Sequence, residues 1–244
     1  MLADLYTVIW KETKLLLGGS GGRGRYLPLV LVGLLGIVLP LRAGALWVGQ
    51  PIGLGIPLMI PLILVASWAA DTFAGERERH TLETLLATRL SDRAILFGKI
   101  VTVTAYAWIV GIASMVLGLV TVNLTHPSGH LLIYPANLML GSVIFSLLIA
   151  ILAAAAGVLV SLRAASVRQV QQVITIGILL VVWVPILVIG MLSGSTSLSS
   201  LGSSLESANL ATLAVVAAVV ILALDAILLG LAVARFQRAK LILG

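Results

Sequence analysis

No cysteine occurs among the 244 residues. That removes disulfides, thiolate catalysis and cysteine-based zinc or iron–sulfur centres. Charge is scarce too, at 10% of residues against 60% hydrophobic, where a soluble domain carries about 25%. The chain lacks the G-x-x-x-x-G-K-[ST] loop that cradles nucleotide phosphates and the H-E-x-x-H run of zinc hydrolases, and no catalytic or metal-ligating set is read. Basic residues exceed acidic ones by six. They are scattered between apolar runs without an aromatic-basic patch, so the excess reads as membrane topology, with no nucleic-acid partner.

What remains is long hydrophobic stretches. A bilayer core of about 30 Å takes about 20 apolar helical residues. Six stretches qualify, at 27–48, 52–73, 98–121, 136–161, 170–192 and 209–233. Pro40 and Arg42 interrupt the first, and VGQP at 48–51 reads as a tight turn after it. The expected class is an all-α membrane protein in one transmembrane domain, 1–244. Its parts are an interfacial helix (1–18), spans 1–2 (27–73), a loop (74–97), spans 3–4 (98–161) and spans 5–6 (170–233).

Residues 2–17 place Asp4, Thr7, Lys11 and Lys14 on one helical side, with leucines mostly opposite. That is an amphipathic helix for the membrane interface, with Trp10 and Tyr6 as headgroup-level anchors. Acidic residues and the lack of a cleavage site argue against a secretory signal. The Gly-rich, basic GGSGGRGR (18–25) reads as a hinge to the first span.

Positive charge stays on the cytoplasmic side. With both termini inside, every Lys and Arg except Arg42 falls there, which predicts a multi-pass protein with both termini in the cytoplasm; the expected host is a bacterial or archaeal plasma membrane. It also puts the charge-dense ERERHTLETLLATRLSDR (76–93) in the cytoplasm. Residues 76–88 are expected to form one helix, with Leu82, Leu85 and Leu86 on one face and Arg79 and Glu83 as an i,i+4 pair. Ser91 is placed to cap the next helix.

The run from Asp71 to Ser91, followed by Gly98-Lys99, resembles the cytoplasmic loop of type-2 ABC exporter permeases. Their common pattern is E-R-E-x-G-T-L-E-x-L-L-x-T-P-L-S and then G-K. His80 stands where that pattern has Gly, and Arg89 where it has Pro. The resemblance implies that residues 76–90 are a coupling helix docking on a separate ATP-binding subunit through Glu76, Arg77, Glu78, Arg79, Leu82, Glu83, Leu85 and Leu86. ATP and magnesium would be held by that subunit, with no cofactor in this chain. It further implies pairing with a second copy or a related permease.

Other readings stay open. Asp225 lies inside span six, where a carboxylate needs protein or water; it is a structural group, a substrate contact, or the coupling acid of a stand-alone ion-driven carrier. Gln169 and Gln172 enter the membrane edge at the start of span five and suit a vestibule, a dimer axis or plain packing. Pro185 suits a kink. Ala150, Ala153–Ala156 and Gly157 offer a smooth surface for close helix packing. His126 and His130 are separated by Pro127 and Gly129, which favours a turn over a metal pair. Asn123-Leu-Thr is a formal glycosylation sequon, and 193–207 a Ser/Gly-rich outer loop. A third class is a membrane scaffold that recruits a partner without transport. The cargo is not legible beyond a preference for hydrophobic or amphiphilic molecules.

Overall fold

Uncharged runs of Leu, Ile, Val and Ala satisfy their backbone only internally once water is excluded, and every regular element among the described residues is helical. The computed structural model describes residues 2–18, 22–49, 52–127, 129–164, 166–177, 179 and 210–236. In chain order come α1 (Leu2–Gly18), α2 (Gly22–Gly33), a π-helical turn (Leu34–Val38), α3 (Leu39–Ala43) and α4 (Leu46–Gly49). Then follow α5 (Ile52–Ala70), a second π-helical turn (Asp71–Gly75), α6 (Glu76–Glu78), α7 (Leu82–Leu86), α8 (Asp92–Thr125), α9 (Ala136–Arg163) and α10 (Leu210–Arg235). Residues 167–177 are also helical.

Four helical stretches are long and apolar enough to cross a membrane: Tyr26–Ala43, Asp92–Thr125, Ala136–Arg163 and Ala214–Arg235. The expected span 52–73 corresponds to α5, of 19 residues, and the π-helical turn after it. Most of the expected fifth span, including Pro185, lies outside the described residues, as do the 193–207 loop, Gly19–Gly21 of the hinge, and Gln50 and Pro51 of the expected turn.

The outermost helices leave apolar side chains uncovered: Leu29, Val30, Leu34 and Ile37 on the first stretch, and Val215, Val216, Val219 and Leu222 on α10. In water such faces would drive aggregation; against lipid tails they cost nothing. The centre is α5, packed against α8 and α9. Hydrophobicity does not pull helices together in lipid, so contact relies on close approach of small residues. Ala154, Ala155 and Val158 are fully buried with Leu64, Val65 and Ala69. At Gly157 an added Cβ would sit 2.4 Å from the Ala69 Cβ, so the helices meet where the side chain is missing.

The first span is not the single run expected at 27–48. Pro40 has no N–H and leaves the Gly36 carbonyl without its helical donor. The chain adjusts by one π-helical turn, in which the Leu39 N–H reaches the Leu34 carbonyl. The Gly36 carbonyl instead accepts from the Thr121 hydroxyl of α8, at 2.9 Å. Gly44, at φ 58°, then ends α3.

Two ends are thereby defined. At one, Phe73 after α5 meets Phe236 after α10, with ring centroids 5.3 Å apart, beside the start of α8 and the end of α9. This is the basic end. At the other, Asn123 pins the α8–α9 connection: its Oδ1 accepts from the Leu132 N–H, and its Nδ2 donates to the Leu119 and Leu132 carbonyls, each at 2.9 Å. The amide of the formal sequon is thus engaged in holding the loop. His126, near the same end, shares a 2.9 Å hydrogen bond with Thr125. Among the described residues no three metal-ligating side chains gather.

Candidate functional site

The basic end holds the densest polar chemistry, and it is assembled around a break in a helix. At Asp71–Gly75 the α5 ladder opens into a π-helical turn. The Ser161 hydroxyl of α9 enters the gap, accepting from the N–H groups of Phe73 (3.1 Å) and Ala74 (2.9 Å) and donating to the Ala70 carbonyl (3.2 Å). A side chain inserted into the ladder both satisfies the freed groups and fixes the bend.

The Thr72 carbonyl faces Lys99. The Lys99 ammonium donates to it at 3.0 Å, to Glu12 Oε1 at 2.9 Å, and pairs with Glu76 Oε1 at 3.0 Å. Its side chain is 1% exposed, so all three donors are spent inside the protein. Lys11 adds a second cation, 3.0 Å from Glu76 and 3.6 Å from Glu12. Two lysines and two glutamates therefore balance to zero. They tie α1 to the start of α6 and to α8.

Gly98 allows this approach: an added Cβ would meet the Val8 Cγ1 of α1 at 2.6 Å. The Gly98-Lys99 pair thus serves one purpose, with the glycine seating α1 and the lysine fastening it. On the same helix Trp10 stays exposed under Lys14, whose ammonium lies 3.9 Å from the ring centroid, a cation–π contact. Tyr6 is exposed as well.

The rest of the run braces the other helices. Arg77 donates to the Leu162 carbonyl at 3.1 Å and to the Ala164 carbonyl. It thereby caps orphan acceptors at the end of α9, where a cation also meets the negative pole of the helix. Glu78 accepts from the Val167 N–H at 2.9 Å, at the start of the helical segment 167–177. Arg79 pairs with Asp71 at 3.0 Å. That hydrogen bond raises the guanidinium above its ordinary value, against a smaller opposing effect of burial; both side chains are 48% exposed, so the pair is worth about 0–1 kcal/mol.

Residues 76–88 do not form the single helix expected from the sequence. His80 takes φ 54°, and the chain splits into α6 and α7. A left-handed residue cannot continue a right-handed helix, and for anything but glycine it is strained. The turn is closed by the Thr81 N–H on the Glu76 carbonyl at 2.9 Å. Arg79 consequently points back to Asp71 and not forward to Glu83, which corrects the expected i,i+4 pair. Past the break, Leu82 and Leu85 are buried in the protein's own core, while Glu83, Thr84, Ala87, Thr88 and Arg89 are exposed. The Leu86 side chain lies outside the described residues. Ser91 occupies the N-cap position of α8 in extended conformation, without a side-chain capping bond.

The proposed docking residues are thus divided. Glu76 is buried and Arg77 half-buried, both engaged internally, and Glu83 is exposed on the surface of α7. Gln169 and Gln172 are exposed. Asp225 is 4% exposed, and neither carboxylate oxygen has a hydrogen-bond partner among the described residues. Lys11, Glu12 and Ser161 were not singled out from the sequence as parts of one site. The available signal was Lys99 itself, a charge between Phe97 and Ile100 in an otherwise apolar helix, which requires a partner.

Compared with family models, with curated proteins and with solved structures, the chain matches none of them.

Proposed function

We propose that this chain is the membrane subunit of an ATP-driven exporter of the type-2 permease kind, with six spans and both termini in the cytoplasm of a bacterial or archaeal cell. A separate ATPase supplies nucleotide and magnesium binding, and two permease chains, alike or related, make the transport unit. One observation carries the reading: residues 76–79 are bonded to five of the helical units that meet at the basic end. Glu76 reaches α1 and α8, Arg77 the end of α9, Glu78 the start of 167–177, and Arg79 the turn after α5. A push on the exposed face of α7 would therefore move the helix ends as one body. In this reading ATPase closure supplies the push, and the opening between paired chains changes in response. The favoured cargo is hydrophobic or amphiphilic.

The test first asks whether a P-loop ATPase is encoded beside this chain, and then co-reconstitutes that ATPase with it. Glu83→Lys combined with Arg89→Glu inverts the exposed charges of the face without touching the buried network. Membrane insertion and melting temperature stay unchanged, while co-purification and stimulated ATP hydrolysis fall. Unchanged stimulation with unchanged co-purification would count against the proposal.

Asp225 favours a second reading, a stand-alone ion-driven carrier, because it is a buried carboxylate with no partner among the described residues. Gradient-driven transport in vesicles free of any ATPase, abolished by Asp225→Asn, would promote that reading over the first.

A further inference from the structure

At the basic end, α9, the segment 167–177 and α10 line an open cleft of about 370 Å³, within the range of about 300–1,000 Å³ common for small-molecule sites. Its lining repeats one pattern on three helices. Leu159 is followed one turn later by Arg163, Leu231 is followed one turn later by Arg235, and Val173 is preceded one turn earlier by Gln169. In each case the polar residue is about 6 Å nearer the basic end than its apolar companion. The cleft is therefore layered, apolar toward the middle of the bundle and cationic at the helix ends. No carboxylate is in the lining, and among the described residues neither arginine enters an ion pair. Both arginine side chains are exposed.

We propose that this cleft binds an anionic phospholipid, with the headgroup phosphate between Arg163 and Arg235 and an acyl chain along Leu159, Val173 and Leu231. Guanidinium forks match phosphate oxygens in geometry and charge. The apolar layer selects a tethered phosphate over a free one, because a free anion gains nothing from it. The proposal is independent of the transport reading.

Native mass spectrometry of the delipidated full chain tests it, with phosphatidylglycerol, phosphatidylcholine and inorganic phosphate as probes. Phosphatidylglycerol binds in preference to phosphatidylcholine, and inorganic phosphate at equal concentration does not displace it. At about fivefold per arginine, the pair Arg163→Gln and Arg235→Gln weakens phosphatidylglycerol about 25-fold, whereas Arg42→Gln, at the opposite end, changes nothing. Replacing both arginines by lysine keeps the charge but loses the forks, and weakens binding less than the glutamine pair does. Val173→Glu, whose folding is checked by its melting temperature, places a carboxylate in the cleft and weakens binding at least tenfold. Equal retention by wild type and by Val173→Glu, or by wild type and the glutamine pair, overturns the site. Equal binding of phosphatidylcholine overturns the charge selection, and displacement by inorganic phosphate overturns the lipid assignment.

Discussion

Lys99→Met is the sharpest probe of the basic end, because it keeps most of the side-chain volume and removes only the charge and its donors. The ammonium makes close contacts with Glu12, Glu76 and the Thr72 carbonyl and is 1% exposed. Removing one member of a buried ion pair costs about 3–5 kcal/mol, since the remaining charge has neither partner nor water. Two features place the loss near the lower bound. Lys11 still reaches Glu76 at 3.0 Å, although it is 41% exposed and hence partly screened, and Glu12 retains some access to solvent at 12%. About 3 kcal/mol follows, or about 6–12 °C of melting temperature for a chain of this size. The variant leaves two glutamates facing one lysine. Glu12→Gln added to Lys99→Met restores neutrality and recovers about half of the loss, so the two changes are non-additive. Thermal unfolding in a fixed detergent measures the stability, and hydrogen exchange at Val8–Lys11 reports whether α1 loosens locally. A shift of about 1 °C or less for Lys99→Met, or a double variant that is less stable than the single one, refutes this account of the network.

Three more outcomes follow from the geometry. His80→Gly relieves a left-handed residue and stabilises the chain by about 1 kcal/mol, seen as a higher melting temperature; a lower one would mean that the imidazole holds the turn. Ser161→Ala strips the hydroxyl that bridges Ala70, Phe73 and Ala74 and lowers stability by about 1–3 kcal/mol, with faster amide exchange at Phe73 and Ala74. Gly157→Val forces α5 and α9 apart and costs about 1–3 kcal/mol, whereas Gly141→Val, where nothing lies within 4 Å of an added Cβ, is tolerated.

The apolar helices were legible because lipid leaves an uncharged run no alternative. The α8 start was legible because Ser-Asp precedes an apolar run, and the close-packing surface of α9 because small residues cluster on it, although nothing local named α5 as its partner. Arg79 shows where local spacing stops. Its sequence offers Glu83 four residues on, but the pairing depends on the φ of His80, and once that residue turns left the guanidinium faces Asp71 instead. Glu12 and Lys99 stand 87 residues apart, so their union depends on α1 folding back over Gly98, which no local pattern encodes. The π-helical turn after α5 was hidden for the same reason, since it depends on the Ser161 hydroxyl delivered from a distant helix; the one before α3 follows from Pro40, but its Thr121 partner is equally remote in sequence.

In the proposed function, α7 stands on the inner side of the membrane as the docking surface of a separate ATPase. The most direct measurement uses Thr84→Cys, an exposed position in a chain with no other cysteine, and follows maleimide labelling in sealed vesicles of both orientations with and without the ATPase. The account predicts labelling in inverted vesicles alone, blocked when the ATPase is bound. Labelling from the outer side, or labelling in inverted vesicles that a bound ATPase leaves unchanged, would contradict it.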